Sequence, residues 1–121
     1  MMFEAAQMDD YMLVRGDEFK PSWSMYNDKA MTDPMDLSQF TGIKLDVRSG
    51  PASSNPVILS GSITGGEITV TDNTIDADLG SLDQPAGRYY YDLRFQNSDG
   101  EISTPFWGYV IIRENYTSYG D

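Results

Sequence analysis

Residues 87–95 read Gly-Arg-Tyr-Tyr-Tyr-Asp-Leu-Arg-Phe, and the way the three tyrosines divide between two faces decides the fold. Side chains of a β-strand point alternately to opposite sides. A strand here groups Tyr89, Tyr91, Leu93 and Phe95 on one face and Tyr90, Asp92, Arg94 and Gln96 on the other. The first set reads as core, which leaves Tyr90 as the member of the triplet directed to a surface. Trp107 joins it if the last strand keeps register beyond Pro105. Pro105 and Gly108 leave that register open, because both residue types accompany bulges and edge positions.

Working outward, turn-forming pairs such as Gly16-Asp17, Asn27-Asp28, Gly50-Pro51, Gly65-Gly66, Asp72-Asn73 and Asp99-Gly100 punctuate the chain. Between them lie short runs rich in Val, Ile, Thr, Tyr and Phe, the pattern of an all-β sandwich or barrel. Strands are expected near 11–15, 19–26, 42–48, 57–63, 67–71, 74–79, 87–97 and 101–114, with helix confined to one turn around Pro34 to Phe40 or to the first residues. Ile43, Leu45 and Val47 alternate with Lys44, Asp46 and Arg48, as in a half-buried strand. Gly65-Gly66 is expected to close a tight hairpin between its flanking strands. Ile75, Ala77 and Leu79 oppose Thr74, Asp76 and Asp78, whose acids are expected to face water.

A chain of 121 residues fits one domain with one modest core. It has no Cys and no His, so disulfides, thiolate chemistry and the commonest general base and metal ligand are all excluded. Nineteen acids against eight bases give a net charge of −11, which opposes phosphate backbones and anionic membranes as partners. No apolar run approaches a membrane span, and the opening MMFEAAQMDD lacks the basic and long apolar parts of a secretory signal.

The ends differ from the body. Residues 1–9 read as an N-terminal arm carrying Met1, Met2, Phe3, Ala5, Ala6 and Met8, residues 10–115 as the sandwich, and 116–121 as a polar tail. Apolar groups on such an arm either fold back on the core or dock on a neighbouring subunit, unless the segment is simply disordered.

Asp72, Asp76 and Asp78 lie close together, and calcium favours clustered carboxylates. The stretch lacks the glycine and terminal glutamate of an EF-hand loop, and a solvated acidic strand edge is the preferred reading. A carboxylate pair could serve glycoside hydrolysis, but nineteen acids on so small a domain make close pairs inevitable by chance. Ser60-Gly61-Ser62 is no nucleophile elbow, and Gly61 to Gly66 lacks the lysine of a phosphate loop. No catalytic, cofactor-binding or metal-binding residues are assigned. Exposed aromatics remain, and these suit either stacking on sugars or protein interfaces.

Pro85-Ala86-Gly87-Arg88-Tyr89-Tyr90-Tyr91 resembles the start of strand F in immunoglobulin-like domains. That match implies that Tyr89 is the corner tyrosine bonded to nearby backbone, that Tyr91 fills the core position held in antibodies by a cysteine, and that Asp99-Gly100 is the F–G turn. Trp23 comes too early in the chain for the strand C tryptophan. The ordering "RGDEF", "DLSQFTGIKLDVR", "GEITVTD", "TIDADLG" and "PAGRYYYDLRFQNSDGEISTPFWGYVIIREN" is similar to small tailed-bacteriophage virion proteins with an immunoglobulin-like sandwich, akin to the N-terminal domain of siphophage upper baseplate proteins. The likeness runs from about Tyr11 to Thr117. Arg15-Gly16-Asp17 is read as a strand-end turn and not as an integrin-type signal. The chain stops after Tyr116 to Asp121 where baseplate versions continue, which suits a stand-alone accessory protein.

The expectation is an all-β, immunoglobulin-like antiparallel β-sandwich of about seven to eight strands. The resemblance implies a non-enzymatic virion component, assembled in the host cytoplasm: a capsid decoration, neck, tail or baseplate accessory. Its partners would be other virion proteins and copies of itself in a symmetric homo-oligomer, with no nucleic acid, membrane or cofactor. Phe3, Met8, Tyr90 and Trp107 are the expected interface residues. The alternatives are a carbohydrate-binding or adhesive module and a carboxylate-dependent hydrolase. Truncating residues 1–9 is expected to weaken assembly and leave the sandwich folded.

Overall fold

The computed structural model of the chain describes residues 6–52 and 54–114. Its strands are β1 (Ala6–Gln7), β2 (Tyr11–Val14), β3 (Ser22–Ser24), β4 (Phe40–Arg48), β5 (Val57–Ser62), β6 (Ile68–Thr71), β7 (Thr74–Ala77), β8 (Gly87–Asn97) and β9 (Ile102–Arg113). A 3-10 turn at Leu37–Gln39 precedes β4, capped by the Asp36 side chain, which accepts from Ser38 N. One sheet runs β1-β9-β8-β4-β5, with β2 also along β9; the other runs β3-β7-β6.

This is an immunoglobulin-like sandwich. β3, β7 and β6 take the places of strands B, E and D; β4, β8 and β9 those of C, F and G; and β5 extends the sheet as C′ does in variable-type domains. Among the described residues no helix is long and apolar enough to cross a membrane.

Three expectations need correction. The large sheet is mixed and not purely antiparallel, because β1 and β2 both pair parallel with β9. Parallel neighbours need a long connection, and here nearly the whole domain lies between the two elements. The strand count exceeds eight because β1 falls in the segment read as an arm. Gly65-Gly66 makes a turn, with Gly66 N donating to Ile63 O at 3.1 Å and Gly66 at a φ of 88°, but not a hairpin. β5 and β6 belong to different sheets, so this turn carries the chain across the sandwich.

The core follows the alternation. Ile43, Leu45 and Val47 of β4 and Tyr91, Leu93 and Phe95 of β8 are buried, facing Trp23, Ile75 and Ala77 of the small sheet. Tyr91 sits at its centre. Its ring stacks on Trp23 at 5.9 Å and meets Tyr11 at 5.7 Å and Phe19 at 6.2 Å edge-on. With no cysteine in the chain, this B-to-F aromatic pair stands where antibody domains put their inter-sheet disulfide. Trp23 therefore has a core role on the B strand. Gly108, opposite Tyr91, makes room for it: a Cβ there would lie 2.6 Å from the Tyr91 hydroxyl oxygen. The Tyr89 hydroxyl donates to Pro85 O at 2.6 Å, the tyrosine corner that the resemblance implied.

The Arg15-Gly16-Asp17 segment is a turn at the end of β2. Val14 N donates to Asp17 Oδ2 at 3.0 Å, and Arg15 pairs with Asp83 at 2.9 Å and Glu114 at 3.3 Å.

Candidate functional site

The outer face of the large sheet gathers the side chains that the core alternation sends outward. Register sets them in rows across the strands. Ser62, Lys44 and Arg94 form one row, Ser60, Asp46, Asp92 and Trp107 the next, and Arg48, Tyr90 and Tyr109 a third. Like charges thus face each other across β4 and β8, while opposite charges alternate along each strand. Directly opposed like charges are unfavourable, so the remaining neighbours, above all the opposite charges two residues along each strand, must offset them.

They do so unevenly. Asp46 is fully engaged, with Ser60 Oγ donating to its Oδ1 at 2.9 Å and Arg48 donating to its Oδ2 at 3.3 Å. Arg48 also donates to Asn55 O at 3.2 Å. Asp92 is less well served: Oδ1 is buried without a hydrogen bond among the described residues, and Arg94 Nε lies 3.9 Å away. Burial pushes the Asp92 carboxyl up, against the pull of Arg94, and the charge of Asp46 adds to the rise. The outer face of β4 and β8 is therefore less solvated than the sequence pattern suggested, since Asp46, Arg48 and Asp92 are all buried. Their neighbours on this face are long side chains, Trp107 directly opposite Asp92 in the same row and Arg94 in the next.

Beside this network lies an aromatic cluster. Tyr90 stacks on Trp107 at 5.7 Å with planes 25° apart, and Tyr109 meets Trp107 at 5.7 Å and Tyr90 at 6.2 Å edge-on. The Arg88 guanidinium sits 4.6 Å from the Tyr109 ring centre. All three rings are half-buried. Desolvation raises the Tyr90 hydroxyl, with Asp92 adding to the effect. Met12, on β2 beside Ile111, extends the cluster as an apolar edge that is 67% exposed.

Of the expected interface residues, Tyr90 and Trp107 are brought together here despite the one-residue register shift between Leu93 and Phe95, opposite Pro105. Met8 is elsewhere: its N–H donates to Trp107 O at 2.7 Å, and its side chain packs half-buried against the core. Phe3 lies outside the described residues, as do Met1, Met2, Ala5 and the tail 116–121. Tyr109, Arg48 and Asp92 were missed as members of this site. Their places in the alternation signalled the face, but not the burial.

Asp76 and Asp78 project from the small sheet into solvent, Asp76 accepting from Ser22 Oγ at 2.6 Å and Asp78 lying 3.7 Å from Lys20. Among the described residues no three carboxylates gather as a metal site requires.

No protein-family model matches the chain, and no curated protein matches it significantly. Solved structures similar to it include CopC from Methylosinus trichosporium OB3b, at 14% identity over 64% of this chain and 67% of that one, with a TM-score of 0.40. Murine CRIg is similar at 13% identity over 88% of this chain and 92% of that one, with a TM-score of 0.42.

Proposed function

We propose that the chain is a non-enzymatic structural component of a tailed-phage virion, a capsid decoration, neck, tail or baseplate accessory that works through protein–protein contacts. It binds other virion proteins and copies of itself in a symmetric assembly put together in the host cytoplasm. The virion setting rests on the sequence resemblance. The contact role rests on one observation above the rest, the Tyr90–Trp107–Tyr109 cluster, half-buried on the open face of the large sheet with Met12 at its edge. Clustered tyrosine and tryptophan with a polar surround are the usual anchors of protein interfaces. A sequence without His or Cys also supports a non-catalytic role.

The test is equilibrium sedimentation of the full chain, wild type against Trp107→Ala and Tyr90→Ala. Each substitution is expected to weaken assembly by about 2 kcal/mol, roughly 30-fold, as hot-spot truncations do. Unchanged assembly in both variants refutes the contact role. Glycan-array binding lost on Trp107→Ala, with no self-association, would put a carbohydrate-binding or adhesive module in its place.

A further inference from the structure

A second feature of the same sheet lies at the opposite end from the aromatic cluster. A depression of about 440 Å³ opens over Gly42, walled by Lys44, Ser62, Arg94, Gln96 and the exposed Ile102. Gly42 leaves its floor open: a Cβ there would meet Gln96 only at ordinary contact distance, 3.5 Å. Lys44 and Arg94 stand directly opposite one another across β4 and β8. Neither donates a hydrogen bond among the described residues. Their nearest carboxylates, Asp46 at 3.8 Å and Asp92 at 3.9 Å, are beyond hydrogen-bonding distance.

This is a basic site on an acidic protein. Lys44, Arg48, Arg88 and Arg94, four of the chain's eight cationic residues, lie on the outer face of these two strands, while the whole chain carries −11. Acids are near the depression too, Glu67 accepting from Ser62 N at 3.2 Å and Asp99 and Glu101 exposed beside Ile102, but a run of exposed acids in a stretch without cations stands on the other sheet. No Lys or Arg occurs between Ser49 and Gly87, and from that stretch the small sheet presents exposed Asp72, Asp76 and Asp78. Asp72 stands at the tip of the β6–β7 hairpin with no hydrogen bond among the described residues.

We infer that the depression over Gly42 is a carboxylate-binding site, and that its occupant is the acidic small sheet of a second copy of this chain, led by the Asp72 hairpin tip. Opposed cations with unused donors favour a carboxylate, which Arg94 can hold through two nitrogens while Lys44 supplies charge. Two chains of −11 repel at long range just as a phosphate polymer would be repelled, so a second copy is favoured by what it presents locally, acids on a hairpin tip and strand that match the site. Site and ligand are different patches, one on the outer face of the large sheet and one at the hairpin tip of the small sheet, so the contact is heterologous and runs head to tail, building a ring or a filament. This inference rests on the reading of the chain as a self-assembling structural protein.

Three variants of the full chain test it in sedimentation: Lys44→Gln/Arg94→Gln, Gly42→Val, which raises the floor of the depression without changing charge, and Asp72→Asn/Asp76→Asn. Thermal melts check that each is folded. Each is expected to weaken self-association by about tenfold or more at one fixed salt of about 0.15 M. Mixing the Lys44→Gln/Arg94→Gln variant with the Asp72→Asn/Asp76→Asn variant leaves one intact site facing one intact ligand. The mixture should therefore stop at a one-to-one pair. Assembly lost on Trp107→Ala but untouched by Gly42→Val and Lys44→Gln/Arg94→Gln overturns this inference and leaves the contact role standing. A wild-type chain that stays monomeric at about 0.1 mM in about 0.15 M salt overturns this inference, and the self-assembly on which it rests falls with it.

Discussion

Asp92 shows how one position in a strand can carry a cost that its sequence context hides. It alternates outward with Tyr90 and Arg94, yet it is only 6% exposed, with one oxygen lacking a hydrogen bond among the described residues. Burial raises its carboxyl, so the folded chain holds that proton to higher pH than the unfolded chain does. The stability from this group is fully present below the ordinary carboxylate range and is lost as pH rises through the raised value. Asp92→Asn keeps the shape and removes the ionisation. It is expected to raise Tm by about 2–5 °C at neutral pH and by much less near pH 3.5. Calorimetry at the two pH values decides, and an equal shift at both would contradict the assignment.

At the scale of elements, the loop between β3 and the 3-10 turn is organised by Asp28. Its carboxylate accepts from Thr32 N and Asp33 N, each at 3.0 Å, and from the Thr32 hydroxyl, and these bonds hold the carboxyl below its usual range. Met31 within this loop has a φ of 56° and is 69% exposed, so its side chain gains little to offset a left-handed backbone. Met31→Gly is expected to stabilise the chain by about 0.5–1 kcal/mol, read as a higher urea midpoint with an unchanged m-value. The β6–β7 hairpin is tighter. Thr71 pairs with Thr74, so Asp72 and Asn73 alone form the loop, and Asn73 Nδ2 ties it to Met25 O at 2.8 Å. Asp72-Asn73 was readable as a turn because both residue types tolerate such backbones. Gly65-Gly66 was equally readable as a turn, but not as a crossing between sheets, because turn chemistry does not say which strands pair.

At the scale of the whole molecule, the N-terminal segment closes the large sheet's edge. β1 lies along Phe106 and Trp107, and the carbonyl of Asp9 accepts from the Tyr91 hydroxyl at 2.8 Å. Of the fates open to an apolar arm, residues 6–9 take the one of folding back. Truncation through residue 9 thus removes part of the sheet, and leaves the Tyr91 hydroxyl in the core without this acceptor. It is expected to cost about 1–3 kcal/mol in urea unfolding. Part of the loss should return on adding Tyr91→Phe to the truncated chain, and no return would mean that the hydroxyl is satisfied by other means.

The sequence by itself determined the strands, most turns and the inward set Ile43, Leu45, Val47, Tyr91, Leu93 and Phe95, because a period of two is a local property of an extended chain. It also separated Tyr90 from its two neighbours and put Trp107 beside it once the register held. Only the tertiary structure decided that β2 runs parallel to β9, that Trp23 meets Tyr91 across the sandwich, and that Asp46 and Asp92 are buried on the outer face. Those outcomes depend on which distant strands come together and on which side chains then stand beside one another on a face. Such non-local contacts leave no periodic trace in the chain.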